Sequence, residues 1–410
     1  MNQDYTVLRE LAKKMAQIAH LPVQDEKRAL WTANNDLKPV RPMVYIDQLP
    51  WHEINTSKEM QLQCTDPFLR VMEQRIREIL YRWNHFPCDM VVEKRIDIPR
   101  EIHNLDYGMH IVEDIRKTDN DNDIVSHKYH DQAATSEQLD ALKFDKVWVD
   151  RDLDEKHMQV CHEIFDGILP VRFEGIQIHA GVWDRIAQMR SVENVLWDMI
   201  DKPEFIVDLV NKFVDISMDT VDQCENLGLL DPELQYVHCT GAYTNDLPKD
   251  GMEDGKPKAH NVWAFGMAQM LTTVSPAMHE EFEIDLVSRL YERFGLMYYG
   301  CCEPLERKIG MIRKLKNVRK ISVSPWADID MCAANIGSDY VFSCKSRSSL
   351  IAGDHMDEPN IKKQLNDAVA ACKRNNTPLE FILKDVSTVS HNLDFIDKWN
   401  DIAMNIATSW

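Results

Sequence analysis

The sequence predicts an α/β fold: a (β/α)8 TIM barrel with an N-terminal helical extension. Three observations lead there. Short apolar runs alternate with amphipathic helical stretches along most of the chain, the pattern of parallel strands joined by crossover helices. Two of those runs, 296–300 and 339–345, end in or beside cysteine, and a third, 318–324, lies between them and is closed by Pro325-Trp326. In a parallel barrel all strand ends of one polarity share a rim, and the rim carries the chemistry. Residues far apart in sequence can therefore meet there.

Residues 1–40 form the expected extension. Within it, 3–20 read as a helix with Leu8, Leu11, Met15 and Ile18 on one stripe. The barrel is expected over 41–410, its first strand at 41–46. A helix at 66–83 leads to a second strand at 90–98. The polar stretch 117–132 reads as an inserted loop, and His127 and His130 within it as solvated residues. A strand at 168–178 contains Pro170 and so begins irregularly. Helices follow at 182–200 and 204–227, the second opened by Pro203 and stopped by Gly228. The run 235–241 reads as the next strand, and 242–263 as a long acidic loop on the active rim. Ser275-Pro276 caps a helix over 277–294. After the cysteine strands come a helix at 361–372, a last strand at 379–386 and a terminal helix at 395–407. That makes about eight strands alternating with helices.

The chain has 410 residues, 44% hydrophobic and 28% charged, which suits one large globular domain with an appendage. No apolar run approaches the roughly 18 residues needed to span a bilayer, so no membrane association is expected. The first residues lack the basic-then-apolar pattern of a signal peptide. Ten irregularly spaced cysteines do not make a disulfide framework and fit a reducing cytoplasm. A net charge of −20 argues against nucleic acid as a partner, because phosphate neutralisation needs a basic face.

Thiolate and imidazole are the ligands zinc prefers, and a catalytic zinc keeps one position open. Cys301, Cys302, Cys344 and His238 all fall at predicted strand ends. Alternation on a strand sends Cys301 and Cys302 to opposite sides, so one of them is expected to be the primary ligand, with the preference on Cys302 beside Glu303. Cys64, Cys88, Cys161, Cys224, Cys332 and Cys372 read as small buried hydrophobes. His238 and Glu281 are the candidates for a third ligand. Against them stand a lone histidine that is merely satisfied and a carboxylate on a solvated helix face. Gln269, Tyr243, Trp326 and Lys384-Asp385 each end or follow a strand-like run and are candidates to line the rim pocket. His238, Tyr243 and Trp326 are the expected substrate-contacting residues among them.

Over about 41–399 the chain resembles the uroporphyrinogen decarboxylase superfamily. The residues carrying the likeness are Tyr299-Gly300-Cys301-Cys302-Glu303-Pro304-Leu305, Ile321-Ser322-Val323-Ser324-Pro325-Trp326 and Tyr236-Val237-His238-Cys239-Thr240-Gly241. The resemblance implies a barrel with one of two chemistries. One branch decarboxylates a porphyrinogen without cofactor, gripping its carboxylates with an arginine-rich opening segment. Here the matching stretch is Arg41-Pro42-Met43-Val44-Tyr45-Ile46-Asp47-Gln48, with Asp47 where a cation belongs. The other branch comprises zinc-dependent methyltransferases that pass methyl groups to a separate corrinoid protein. This sequence looks closer to that branch's aromatic-ether demethylases, although Tyr299 stands where a ligand histidine is common. The resemblance thus implies Zn(2+), a corrinoid partner protein and a small methylated donor, most plainly a methoxylated aromatic. A cofactor-free decarboxylase and a non-catalytic barrel with a structural metal are the alternatives.

Overall fold

A parallel sheet of seven strands organises the chain, in a computed structural model that describes residues 2–117, 124–252 and 255–410. In chain order, the strands of this sheet and of two smaller pairs are β1 (Met43–Ile46), β2 (Ile96–Ile98), β3 (Val171–Phe173), β4 (Ile178–His179), β5 (Tyr236–Val237), β6 (Thr240–Gly241), β7 (Trp263–Gly266), β8 (Leu296–Tyr299), β9 (Val318–Val323), β10 (Val341–Lys345) and β11 (Leu379–Leu383). The sheet runs β1-β11-β10-β9-β8-β7-β4, with every neighbouring pair parallel. β2 and β3 pair separately and in parallel.

The expected closed eight-stranded barrel is therefore corrected to a curled sheet whose ladder does not close. Two local features account for this. The strand expected at 168–178 breaks into β3 and β4 around Glu174–Gln177, where Gly175 lies so close to Asp231 that an added Cβ would sit 2.1 Å from that residue's Cβ. The strand expected at 235–241 is instead an antiparallel hairpin, β5–β6, outside the large sheet. Facing β1 is a non-ladder segment: Asp89 N–H donates to Val44 O at 3.0 Å, and the Asp89 carboxylate accepts Val44 N–H at 2.8 Å.

Helix ends follow local chemistry. The Pro67–His85 helix starts at Asp66, whose carboxylate accepts Leu69 N–H, with Pro67 in the first turn. The Pro203–Leu227 helix stops where Gly228 takes φ 68°. The helix expected at 182–200 divides into Val182–Met189 and Val192–Asp201, because Arg190 is extended at the joint and its guanidinium is held by Asp198 and Asp131. The helix expected at 277–294 is interrupted by a π-helical turn, Glu280–Ile284.

The N-terminal segment forms two helices, Gln3–Ala19 and Pro22–Asn35. Val7, Leu8, Leu11, Ala12 and Met15 are buried, and Asp4 accepts N–H groups from Thr65 and Asp66 at 3.1 and 3.0 Å. The loop expected at 117–132 is in part an antiparallel hairpin, Glu113–Arg116 with Ser126–Tyr129; its residues 118–123 lie outside the described residues, as do 253–254 of the 242–263 loop. Among the described residues, no helix is long and apolar enough to cross a membrane.

Apolar side chains of β7 and β8, notably Trp263, Phe265, Leu296 and Tyr298, cluster with Val237 and Ala242 of the hairpin on the concave side of the sheet. Beneath them lies a fully buried ion pair. Lys320 Nζ stands 2.8 Å from Glu380 Oε2 and donates to Thr240 Oγ1 and Gly241 O, both at 2.9 Å. The hairpin is thereby fastened to β9 and β11.

Candidate active site

β8 ends at Gly300, whose φ of +91° is a conformation few side chains tolerate; a Cβ there would also come within 2.6 Å of Leu305. The turn it permits carries Cys301 over the concave face. Cys301 is fixed twice through its backbone: its N–H donates to Glu303 Oε2 at 2.8 Å, and its carbonyl accepts the Ser322 hydroxyl at 2.5 Å. Next to it, Cys302 is partly exposed, its sulfur 3.6 Å from Cys301 Sγ and its thiol directed at Asp385 Oδ2 at 3.4 Å.

β11 delivers the cation. Past Leu383, Lys384 Nζ lies 3.2 Å from Cys301 Sγ, 3.4 Å from His238 Nε2 and 3.1 Å from Asp385 Oδ2. His238 comes from the turn between β5 and β6, with φ 54°, an uncommon backbone state for a histidine. Its ring lies flat on Phe265, centroids 3.8 Å apart, and its Nε2 is 3.7 Å from Cys301 Sγ. The next residue, Cys239, receives a hydrogen bond from the buried Lys345 Nζ at 2.8 Å and lies beside the His238 ring.

Two thiols are thus set against two lysines. The Cys302 hydrogen bond, with His238 and Lys384, holds the Cys301 thiol down at about 3 in spite of burial. Cys302, as its donor, is pushed up. Burial works against a charged Cys239, yet Lys345 and His238 outweigh it and lower that thiol too. Burial likewise disfavours the Lys384 ammonium, but the negative charge at Cys301 and Cys239 raises its pKa. Nearby, His179 Nε2 lies 3.5 Å from Asp184 Oδ2, and both side chains are more than a third exposed. At neutral pH the site holds a Cys301 thiolate beside a charged lysine.

No family model matches the chain, and no curated protein does. Among solved structures it is similar to a methyltransferase from Methanosarcina mazei, at 10% identity and a TM-score of 0.49, over 93% of this chain and 97% of that one. Such an overlap decides nothing about chemistry.

The structure brings together His238, Cys301, Cys302 and the Lys384-Asp385 pair. It does not bring Cys344 to them. On β10, Ser343 and Lys345 face the concave side, where they meet Tyr298 and Cys239. Cys344 therefore points to the helical layer, toward Cys332 and Cys372, and burial pushes its thiol up to about 12. The expected meeting of Cys302 with Cys344 is corrected on this ground. Glu281 is exposed on the π-helical turn and is corrected likewise, since that turn lies on the helical side of the sheet. Tyr243 donates to Glu93 Oε1 at 2.7 Å beneath Arg28, and Trp326 is 66% exposed under the Arg347 guanidinium. Neither touches the thiols. Gln269 is exposed in a 3-10 turn.

Sequence reasoning gave little weight to Lys384 and Cys239 and none to Lys345, His179 or Asp184. One signal was available for the lysines: each ends or directly follows a largely apolar strand, where a charge must find a partner.

Among the described residues, no three His, Cys, Asp or Glu side chains stand grouped around an ion as they lie. The donors His238 Nε2, Cys301 Sγ and Cys302 Sγ nonetheless suit zinc in kind. Their edges of 3.7 and 3.6 Å resemble the roughly 3.5–3.8 Å that bonds of about 2.0–2.3 Å give in a tetrahedral site. The Lys384 ammonium now neutralises these atoms, and a metal would require it to draw back.

Proposed function

We propose that this chain is a methyltransferase that moves a methyl group from a small methylated donor, a methoxylated aromatic foremost, to the Co(I) centre of a separate corrinoid protein. The observation that carries the reading is Cys301 held as a thiolate by Lys384, His238 and Cys302 at the C-terminal ends of parallel strands. The identity of donor and acceptor rests on the motif resemblance around 236–241, 299–305 and 321–326.

In the transfer, the O–CH3 bond breaks, the methyl carbon bonds to cobalt, and the electron pair leaves with oxygen. Zinc, held by His238, Cys301 and Cys302, would supply Lewis acidity to that oxygen. Lys384, drawn back from Cys301, would remain beside the site as positive charge near the oxygen that becomes anionic. Phe265 holds the His238 ring in one plane, and Glu303 and Ser322 fix the Cys301 backbone. Arg41, the arginine of the opening segment, is committed to the buried Asp89 by two hydrogen bonds of 2.9 and 2.6 Å. It is not free to grip a polycarboxylate, which speaks against the decarboxylase alternative.

One observation favours a second reading without metal. Lys384 already supplies a cation to Cys301, so the Cys301 sulfur could take the methyl group itself, forming a thioether as the oxygen leaves. Single-turnover methylation of Co(I), followed by absorbance with and without a zinc chelator, separates the two. Transfer lost on chelation and restored by zinc supports the first reading. Methylation of Cys301 in chelator, detected as a mass increase on its peptide, supports the second.

A further inference from the structure

β1 and β11 end side by side, and just past each end a residue other than glycine takes a left-handed backbone: Gln48 at φ 49° and Asp385 at φ 55°. Asp385 is held in that state from both sides. Asp47 N–H donates to Leu383 O at 2.8 Å, and Val386 N–H donates to Gln48 O at 3.0 Å. Farther on, the buried Glu53 carboxylate accepts Val389 and His391 N–H groups at 3.2 and 2.9 Å and anchors the loop that follows. Such a conformation costs free energy and persists only where its surroundings impose it, commonly at functional sites.

The turn aims the Asp385 carboxylate at the thiols. Its Oδ2 lies 3.1 Å from Lys384 Nζ and 3.4 Å from Cys302 Sγ, and the side chain is half exposed. Lys384 itself is almost fully buried. An ammonium has three protons to donate, and this one has three partners: Cys301 Sγ at 3.2 Å, His238 Nε2 at 3.4 Å and Asp385 Oδ2. Two of the three are atoms that would bind zinc. A dication there takes those partners and repels the ammonium, and a buried cation left without a counter-charge is costly. Cys239, another anionic group near Lys384, is already bonded to Lys345. Asp385 is the partner that zinc does not claim.

We infer that Asp385 is a positioning residue for metal entry: it holds the Lys384 ammonium off Cys301 and His238 while zinc occupies them. This rests on the zinc-dependent reading of the site and supplies the means by which lysine and metal share one pocket. The positive charge thereby stays beside the site whether or not the metal is bound.

Zinc affinity of the full chain, measured by competition with a chromogenic chelator, tests this without methyl donor or corrinoid. Asparagine, like aspartate, tolerates the left-handed backbone, so Asp385→Asn removes the charge and keeps the turn. It should weaken zinc binding about tenfold or more, the scale of losing a group that orients a metal site. Lys384→Met should bind zinc more tightly than the wild type, because no ammonium has to move. In the Lys384→Met background the effect of Asp385→Asn should fall below about twofold. Cobalt(II) in place of zinc should give the same ligand-field bands in wild type and Asp385→Asn, since Asp385 is not a ligand. A loss of affinity that is equal with and without Lys384, or a changed cobalt spectrum, overturns the inference, because Asp385 then acts on the metal or on Cys302 directly. Equal zinc affinity in wild type and Asp385→Asn overturns it too, and leaves the zinc site standing. A wild-type chain that binds no zinc removes the metal reading and this inference together.

Discussion

Cys301 and Cys344 both stand at or near the ends of parallel strands, and both are almost fully buried, yet their surroundings drive them to opposite states. Cys301 meets Lys384, His238 and a donating thiol, and ionises easily. Cys344 meets helices and two further cysteines, and burial keeps it a neutral thiol. Burial alone therefore does not decide what a cysteine is. The decisive factor is which face of the sheet it occupies, because the concave face holds the buried lysines.

The sharpest way to break this contrast is to truncate each thiol in turn. Cys301→Ala should lower methyl transfer to Co(I) by on the order of a thousandfold, the scale of removing a principal stabilising group at a reacting centre, and should lower zinc content. Cys344→Ala should leave both close to wild type. Metal analysis and single-turnover rates on the two variants check this, and a Cys344→Ala protein that loses its zinc would end the distinction.

A second contrast lies between the lysines. Lys320 neutralises a carboxylate deep under the hairpin, whereas Lys384 faces a thiolate at the rim. Lys320→Ala should cost about 3–5 kcal/mol in denaturant unfolding, since it strands a buried Glu380. Lys384→Met should instead reduce transfer while unfolding at nearly the wild-type denaturant midpoint.

Smaller is the stability effect at Cys344 itself. Trimming its sulfur opens a small gap between β10 and the helices, and Cys344→Ala should lose about 1–2 kcal/mol by the same measurement. Cys302→Ala, at a partly exposed position, should lose less.

A separate effect concerns pH, away from the thiols. Burial raises the Glu283 carboxyl from 4.5 to about 8, with the Trp183 indole and the Tyr291 hydroxyl donating to it at 2.5 Å each. The folded chain then binds this proton more tightly than the unfolded chain. The contribution is complete below about 4.5 and disappears as pH rises through 8. Melting temperature should fall across that window in the wild type, and more shallowly in Glu283→Gln. Equal slopes in the two proteins would exclude Glu283 as the source.

Periodicity and end signals in the sequence determined the parallel α/β grammar, the Asp66 and Pro203 helix starts, the Gly228 stop, and the strands that start at Leu296, Val318 and Leu379. These are local choices, made by backbone preference and by where apolar residues recur. Strand alternation led to the expectation that Cys301 and Cys302 face opposite sides, but the Gly300 turn leaves their sulfurs 3.6 Å apart, with Lys384 and His238 at Cys301. Which partners the thiols have was decided only by tertiary structure. The segment 235–241 has the composition of a strand, but it folds as a hairpin because Thr240 and Gly241 bond Lys320 under the sheet, and this turns His238 toward Cys301. Cys344 was misplaced for a related reason. A strand's sequence shows that alternate residues face opposite sides, but only the packed sheet shows which side is concave and where Lys345 and Lys384 must find their counter-charge.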